Sequence, residues 1–333
     1  MEKKVQNILK YGISAAVAVV LLWLSFRGIG WADFWQGLRS CRWEFIVLAM
    51  AFGILSYWLR GLRWRELLLP IDDSTRRRTC FNAVNISYVA NMVLPRVGEL
   101  VRCGYITNRS AVGADGRRKA SFDKVFGTVV VDRVWDTLTL GLLLLVLFIP
   151  MGSRFGRLFG GTTLQFNFSV PWLLAGLLAA GLAALALVWF LRDRNAFFGK
   201  VWHFIAGILE GISSCLRMKA WWKFILYTLL IWGCYWLTSS SVLWAVQGRL
   251  PGFEALTMTD ALFLMMVGSL SSVVPVPGGF GAYHYLISLA LSTLYGIPAE
   301  QGLIWATLSH ESQAITQLLA GGASYLAETL RKD

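Results

Sequence analysis

Two stretches decide the fold: N-M-V-L-P-R-V-G-E-L-V-R, residues 91–102, and V-P-V-P-G-G-F-G-A-Y-H, residues 274–284. Each breaks an apolar segment with proline and glycine, and each has apolar arms on both sides. The first hairpin is read over 79–107, turning at Leu94 to Glu99. The second is read over 260–297, turning at Val274 to Gly281. Each arm of the first has about 14 residues, roughly 21 Å of helix, which is short for a hydrocarbon core of about 30 Å. Paired interrupted segments at corresponding places in two halves point to a central site in an inverted-repeat membrane protein.

The rest of the chain agrees with a membrane setting. It is 56% hydrophobic and 15% charged, and its mean hydropathy is +0.57. Full spans are predicted near 11–29, 45–62, 125–150, 171–191, 222–247 and 303–327. Trp31, Trp35, Trp43, Trp58, Trp64, Trp172, Trp221 and Trp222 fall near span ends, where tryptophan anchors at the interface. The N-terminal run carries no clean small-x-small cleavage site and is read as the first span. The reading is therefore an all-α integral membrane protein with about six full spans and two re-entrant helical hairpins. Residues 1–333 form one polytopic domain, with inverted repeats over 1–150 and 171–327.

The formal net charge is +12, yet nucleic acid is not the expected partner, because the basic residues cluster in alternate loops. One side holds Lys3, Lys4 and Lys10, the group from Arg60 to Arg78, Arg109 to Lys124, Arg192 to Lys223, and Arg331 with Lys332. The other holds Arg27, Arg39, Arg42, Arg154, Arg157 and Arg249. Loops rich in Lys and Arg stay cytoplasmic. Both termini are thus expected in the cytoplasm, and the chain in the inner (cytoplasmic) membrane. The five cysteines show no C-x-x-C pair and support neither a zinc ribbon nor a disulfide framework.

Ionisable residues at membrane depth are costly and mark function. Arg96, Glu99 and Arg102 flank the first tip. Either Glu99 forms an internal ion pair with Arg96 or Arg102, or the arginines and the amides opening the second arm bind phosphate or carboxylate. Asp132, Arg133 and Asp136 lie in V-V-V-D-R-V-W-D; the two aspartates share a helix face and Arg133 points about 100° away. These three are scaffold ion pairs, a head-group site or a proton relay. Gly278, Gly279 and Gly281 allow close backbone approach at the second tip, and Tyr283 and His284 follow it as Glu99 follows the first. His310 and Glu311, in L-S-H-E-S-Q, line the cavity or cap the second hairpin. Their helix lacks the second histidine of H-E-x-x-H, so no metal site is expected. Asn82, Asn85 and Asn91 form a polar stripe suited to interhelical hydrogen bonds.

The segments N-M-V-L-P-R-V-G-E-L-V-R, D-R-V-W-D and P-V-P-G-G-F-G, in that order, resemble the flippase-like family that shares the transmembrane region of lysylphosphatidylglycerol synthases. The resemblance covers nearly the whole chain. It implies a polytopic protein that moves lipids or lipid-linked head groups. Carried over by position, it implies functional roles for Arg96, Glu99, Arg102, Arg133, Asp136, Gly278, Gly279 and Gly281. The first tip is shorter than the common family form, and His284 stands where family members commonly carry an acid. The chain ends at Asp333 without the soluble aminoacyl-transferase domain, so lysylation of lipid by this chain is not expected.

The function expected from the sequence is translocation of a lipid or lipid-linked polar head group through a groove between the two tips. No catalytic residue, cofactor or metal is called, and the chain is expected not to be an enzyme. The alternatives are a membrane-embedded enzyme, an accessory subunit acting with a membrane-associated transferase, and a small-solute transporter. Sequence does not give the oligomeric state.

Overall fold

The structure is a computed structural model that describes residues 2–113, 116–158 and 186–330. Among these residues every regular element is helical, apart from an isolated bridge between Val112 and Arg118. In chain order the helices are α1 (Glu2–Phe26), α2 (Trp31–Ser40), α3 (Trp43–Leu68), α4 (Arg77–Val93), α5 (Gly98–Arg109) and α6 (Phe122–Leu158). They continue as α7 (Ala196–Leu216), α8 (Trp221–Val246), α9 (Met258–Leu270), α10 (Ala282–Tyr295) and α11 (Ala299–Thr329). The expected span at 171–191 falls largely outside the described residues.

The two hairpins form where proline and glycine predict them. The first is α4 and α5, the second α9 and α10. Local chemistry starts and stops the second. At its entry the Asp260 carboxylate accepts the Thr257 backbone N–H at 2.8 Å, a capping-box contact. Its other oxygen accepts the Tyr295 hydroxyl at 3.0 Å, tying the two arms together. Gly296 closes α10 in the left-handed conformation that helix C-termini favour.

Each hairpin is seated in its own apolar cluster. The first packs Cys80, Val84, Cys103 and Ile106 against Trp64, Leu67 and Leu68 of α3 and Val125 and Val129 of α6. The second packs Leu264, Ile287 and Leu291 against Val242, Leu243 and Val246 of α8 and Leu303, Ile304 and Trp305 of α11. Helices α3 and α8 pack along their length. Thr238, Ser239, Ser240 and Ser241 are buried on α8, as small polar residues are in membrane helix interfaces. The asparagine stripe bonds as expected. Asn82 donates to Glu328 Oε1 at 2.5 Å and Asn85 to Ser324 Oγ at 3.1 Å, both on α11.

Large apolar side chains point outward on α6 (Val134, Leu138, Leu142, Leu145) and on α8 (Trp222, Leu229). Such a surface suits lipid, not water. Among the described residues, α3 and α8 are each long and apolar enough to cross a membrane alone. Residues 14–26 of α1 and helix α2 are bent by 87° and give a third crossing only if they count as one span. The chain is an integral membrane protein, and its described residues supply two or three of the six expected crossings. Helix α7 is a second difference: residues 196–216 read as a basic loop, yet they form a helix packed on α6.

Candidate functional site

Asp132 and Asp136 lie one turn apart on α6 and face α3, where Arg60 and Arg63 are also one turn apart. Arg63 Nη2 donates to Asp132 Oδ1 at 2.7 Å and to Asp136 Oδ1 at 2.6 Å. Arg60 Nη2 donates to Asp136 Oδ2 at 2.8 Å and its Nη1 donates to the Tyr235 hydroxyl at 2.8 Å. From α5, Arg102 lies 3.4 Å from Asp132 and stacks over Trp64 with its guanidinium carbon 4.6 Å from the ring centroid. Glu99, also on α5, joins Arg102 at 3.0 Å and Arg133 at 2.8 Å. Arg133 completes the set at 3.7 Å from Asp136.

Helices α3, α5 and α6 thus bring four guanidiniums, Arg60, Arg63, Arg102 and Arg133, onto three carboxylates, Glu99, Asp132 and Asp136. Formal charge is left at +1. The network is graded: Arg63, Arg102 and Asp132 are sealed from solvent, whereas the Arg133 side chain is 40% exposed and Glu99 is 23% exposed. Of the two sequence readings of Glu99, the internal ion pair is the one seen. Glu99 is ion-paired, but to Arg102 and Arg133 and not to Arg96. Arg60 and Arg63 are the residues that sequence reading assigned elsewhere, to the cytoplasmic basic loop. Helix α3 continues six residues beyond the expected span end and buries both.

The first tip departs from expectation in its backbone. Arg96 itself takes the left-handed conformation, with φ +64°. Gly98 is needed for proximity: a Cβ there would collide with the Ser87 carbonyl and the Asn91 side chain. Its amide is not free for an anion, because it donates to Asn91 Oδ1 at 2.8 Å. At the second tip Gly278, Gly279 and Gly281 all have positive φ, and a Cβ on Gly281 would strike the α1 backbone at Ala18 and Leu22. Gly279 and Phe280 donate their amides within the tip, to Val276 and Pro277. Three of the tip amides, those of Gly98, Gly279 and Phe280, are therefore already engaged. The two tips do meet, through Arg96 Nη2 donating to Val273 O at 3.3 Å.

The remaining predicted residues form a second cluster behind the second tip. Tyr283 and Ser309 share a 2.7 Å hydrogen bond between buried hydroxyls. His284 Nε2 lies 3.2 Å from Glu311 Oε2, and His310 Nδ1 lies 3.5 Å from Glu311 Oε1. His310 Nε2 meets the Gly278 carbonyl at 3.0 Å. Predicted site residues thus fall into two groups, one around α3, α5 and α6 and one between α10 and α11, with Arg96 reaching from the first tip to the second.

The three motifs, two at the hairpin tips and one on α6, lie within a stretch that matches a known family. Residues 8–321 match the Lysylphosphatidylglycerol synthase TM region. The chain belongs to that family. A curated relative, "Glycosyltransferase AglD" of Haloferax volcanii, is 25% identical over 312 residues, covering 85% of this chain and 48% of the relative. The chain thus spans about half the length of that relative. No solved structure matches. The relative's name corrects one expectation: a family member alignable over most of this chain is called an enzyme, so the reading of this chain as no enzyme does not stand.

Proposed function

We propose that this chain binds a lipid or lipid-linked head group that carries phosphate and moves it across the membrane between the two hairpin tips. The observation that carries this reading is the excess of guanidinium over carboxylate in a network whose exposed edge is Arg133. A buried excess of positive charge is costly without an anion, and guanidinium forks match phosphate oxygens bidentately. The phosphate would engage Arg133 and Arg96, and Glu99 would hold Arg133 in place and accept from donor groups of the head, while the tails remain in lipid.

The proposal includes the topology behind it: six spans, two re-entrant hairpins, repeats over 1–150 and 171–327, and cytoplasmic termini in the inner membrane. The alternation of basic loops supports that arrangement. The name of the Haloferax relative favours a second reading, in which the same site presents a lipid carrier for group transfer.

Native mass spectrometry of gently extracted protein tests the binding step. Wild type should retain a defined phosphate-bearing lipid that Arg133→Ala and Glu99→Gln lose. Equal, nonselective lipid in all three would reduce the network to scaffold. Reconstituted vesicles then separate the two readings, because head-group movement without a new product supports translocation, and a new lipid product supports transfer.

A further inference from the structure

We infer that His284, His310 and Glu311 form a site for a divalent metal of the zinc class. The argument starts from the tautomer of His310. Its Nε2 lies 3.0 Å from the Gly278 carbonyl, which can only accept. The hydrogen is therefore on Nε2, and in the neutral ring Nδ1 presents a lone pair. That lone pair faces the Glu311 carboxylate at 3.5 Å, acceptor against acceptor. It is buried and has no hydrogen-bond partner among the described residues. Two facing acceptors call for a cation between them, either a proton on Nδ1 or a metal ion, and a third ligand beside them points to the metal.

His284 supplies the third ligand. Its Nε2 lies 3.2 Å from the other Glu311 oxygen, and its side chain is 1% exposed. Donor atoms of the three residues all lie within 4.8 Å of one another. Ligand bonds of about 2.0–2.1 Å at tetrahedral angles place ligand atoms roughly 3.3 Å apart; His284 and His310 stand 3.2 and 3.5 Å from the two different oxygens of Glu311, so small side-chain turns bring one oxygen to both. The Nε2–H of His310 on a backbone carbonyl is the outer hydrogen bond that metal-bound histidines usually make.

The two histidines sit on different helices, α10 and α11, so no single-helix motif marks them. Glu311 is 36% exposed, so the cluster has an open side. Two histidines, one carboxylate and an open position are the ligand set of zinc sites that keep a place for water or a substrate oxygen. The inference is independent of the head-group reading, since it uses none of the arginines.

Full-length protein in detergent, stripped with a chelator and re-equilibrated with Zn²⁺ or Co²⁺, tests it. The expected results are one metal per chain, a tetrahedral Co²⁺ absorption band and a higher melting temperature with Zn²⁺. His284→Ala, His310→Ala and Glu311→Gln should each weaken binding by more than about 10-fold. Failure of wild type to retain metal, or equal retention in all variants, would overturn the site. If a variant does not fold, the wild-type Co²⁺ spectrum and Zn²⁺ melting shift decide the question. No tetrahedral band and no shift would overturn the inference, and both together would support it.

Discussion

Arg63 of α3 holds Asp132 of α6 at 2.7 Å, with both side chains excluded from solvent. This pair is the sealed end of a network whose other end, Arg133, is open. The two arginines should therefore behave differently when removed.

Arg63→Ala leaves Asp132 buried with less compensation and empties a packed volume. Removing one member of a buried pair costs about 3–5 kcal/mol. Arg133→Ala removes a partly exposed partner, and exposed pairs contribute about 0–1 kcal/mol. The expected outcome is a poorly folded Arg63→Ala protein and a well-folded Arg133→Ala protein that no longer retains lipid. Size-exclusion profiles and melting curves check the first, and lipid mass spectrometry the second. Comparable stability losses in both would show that the network is uniform.

The glycines of the second tip predict a graded set of substitutions. At Gly281 an added Cβ would lie 2.6 Å from the Ala18 carbonyl oxygen, on a residue with φ +80°. Strained backbone of this kind costs roughly 1–3 kcal/mol before any clash is counted. Gly322, in α11, has nothing within 4 Å of such a Cβ. There alanine should be neutral or stabilise by about 0.5–1 kcal/mol, because helix interiors disfavour glycine. Melting temperatures should fall for Gly281→Ala and hold or rise for Gly322→Ala. A Gly281→Ala protein as stable as wild type would mean that α1 does not hold the tip.

Much of this site is legible in the sequence, and what is not has physical causes. Proline at 95 and the P-V-P-G-G run mark both hairpins because few residues tolerate those turns. The four-residue spacing of Asp132 and Asp136 gives their shared face directly. Arg60 and Arg63 are different: in R-G-L-R-W-R they look like the basic flank of a span, and only the carboxylates of another helix reveal that they are buried. Arg96 is also hidden, since nothing local announces an arginine with positive φ. Its conformation follows from the shape of the whole hairpin.

The loop joining α3 to α4 carries a pH-dependent clasp outside the membrane. Burial tends to raise the Asp72 pKa, but donors outweigh it and hold the carboxyl below its ordinary value. Ser110 Oγ donates at 2.6 Å, Ser74 Oγ at 2.6 Å and the Ala111 amide at 3.0 Å. A depressed carboxyl contributes stability that is complete above its unfolded pKa, about 3.9, and is lost as pH falls through the folded value. Hydrogen-exchange protection at Ala111 and Ala120, taken relative to the intrinsic rate at each pH, should therefore be high at neutral pH and fall in acid. Ala120 reports because its amide donates to Ser110 Oγ at 2.8 Å. Asp72→Asn should expose both amides at neutral pH, at a cost of about 1–3 kcal/mol. Unchanged exchange in that variant would remove the clasp.

Arg96 separates a turn-forming role from a ligand-binding one. Its left-handed backbone costs roughly 1–2 kcal/mol for a residue with a Cβ. Glycine relieves that strain and returns a similar amount as entropy of the unfolded chain. The tip-to-tip bond lost with the side chain is long, at 3.3 Å, and exposed. Stability of Arg96→Gly should therefore stay within about 1 kcal/mol of wild type. Lipid retention should fall, because the guanidinium nearest the second tip is gone. Arg96→Lys keeps the charge but not the fork, and should recover only part of the binding. Full retention by a stable Arg96→Gly protein would assign the residue to the turn alone and confine the head-group site to Arg133 and Glu99.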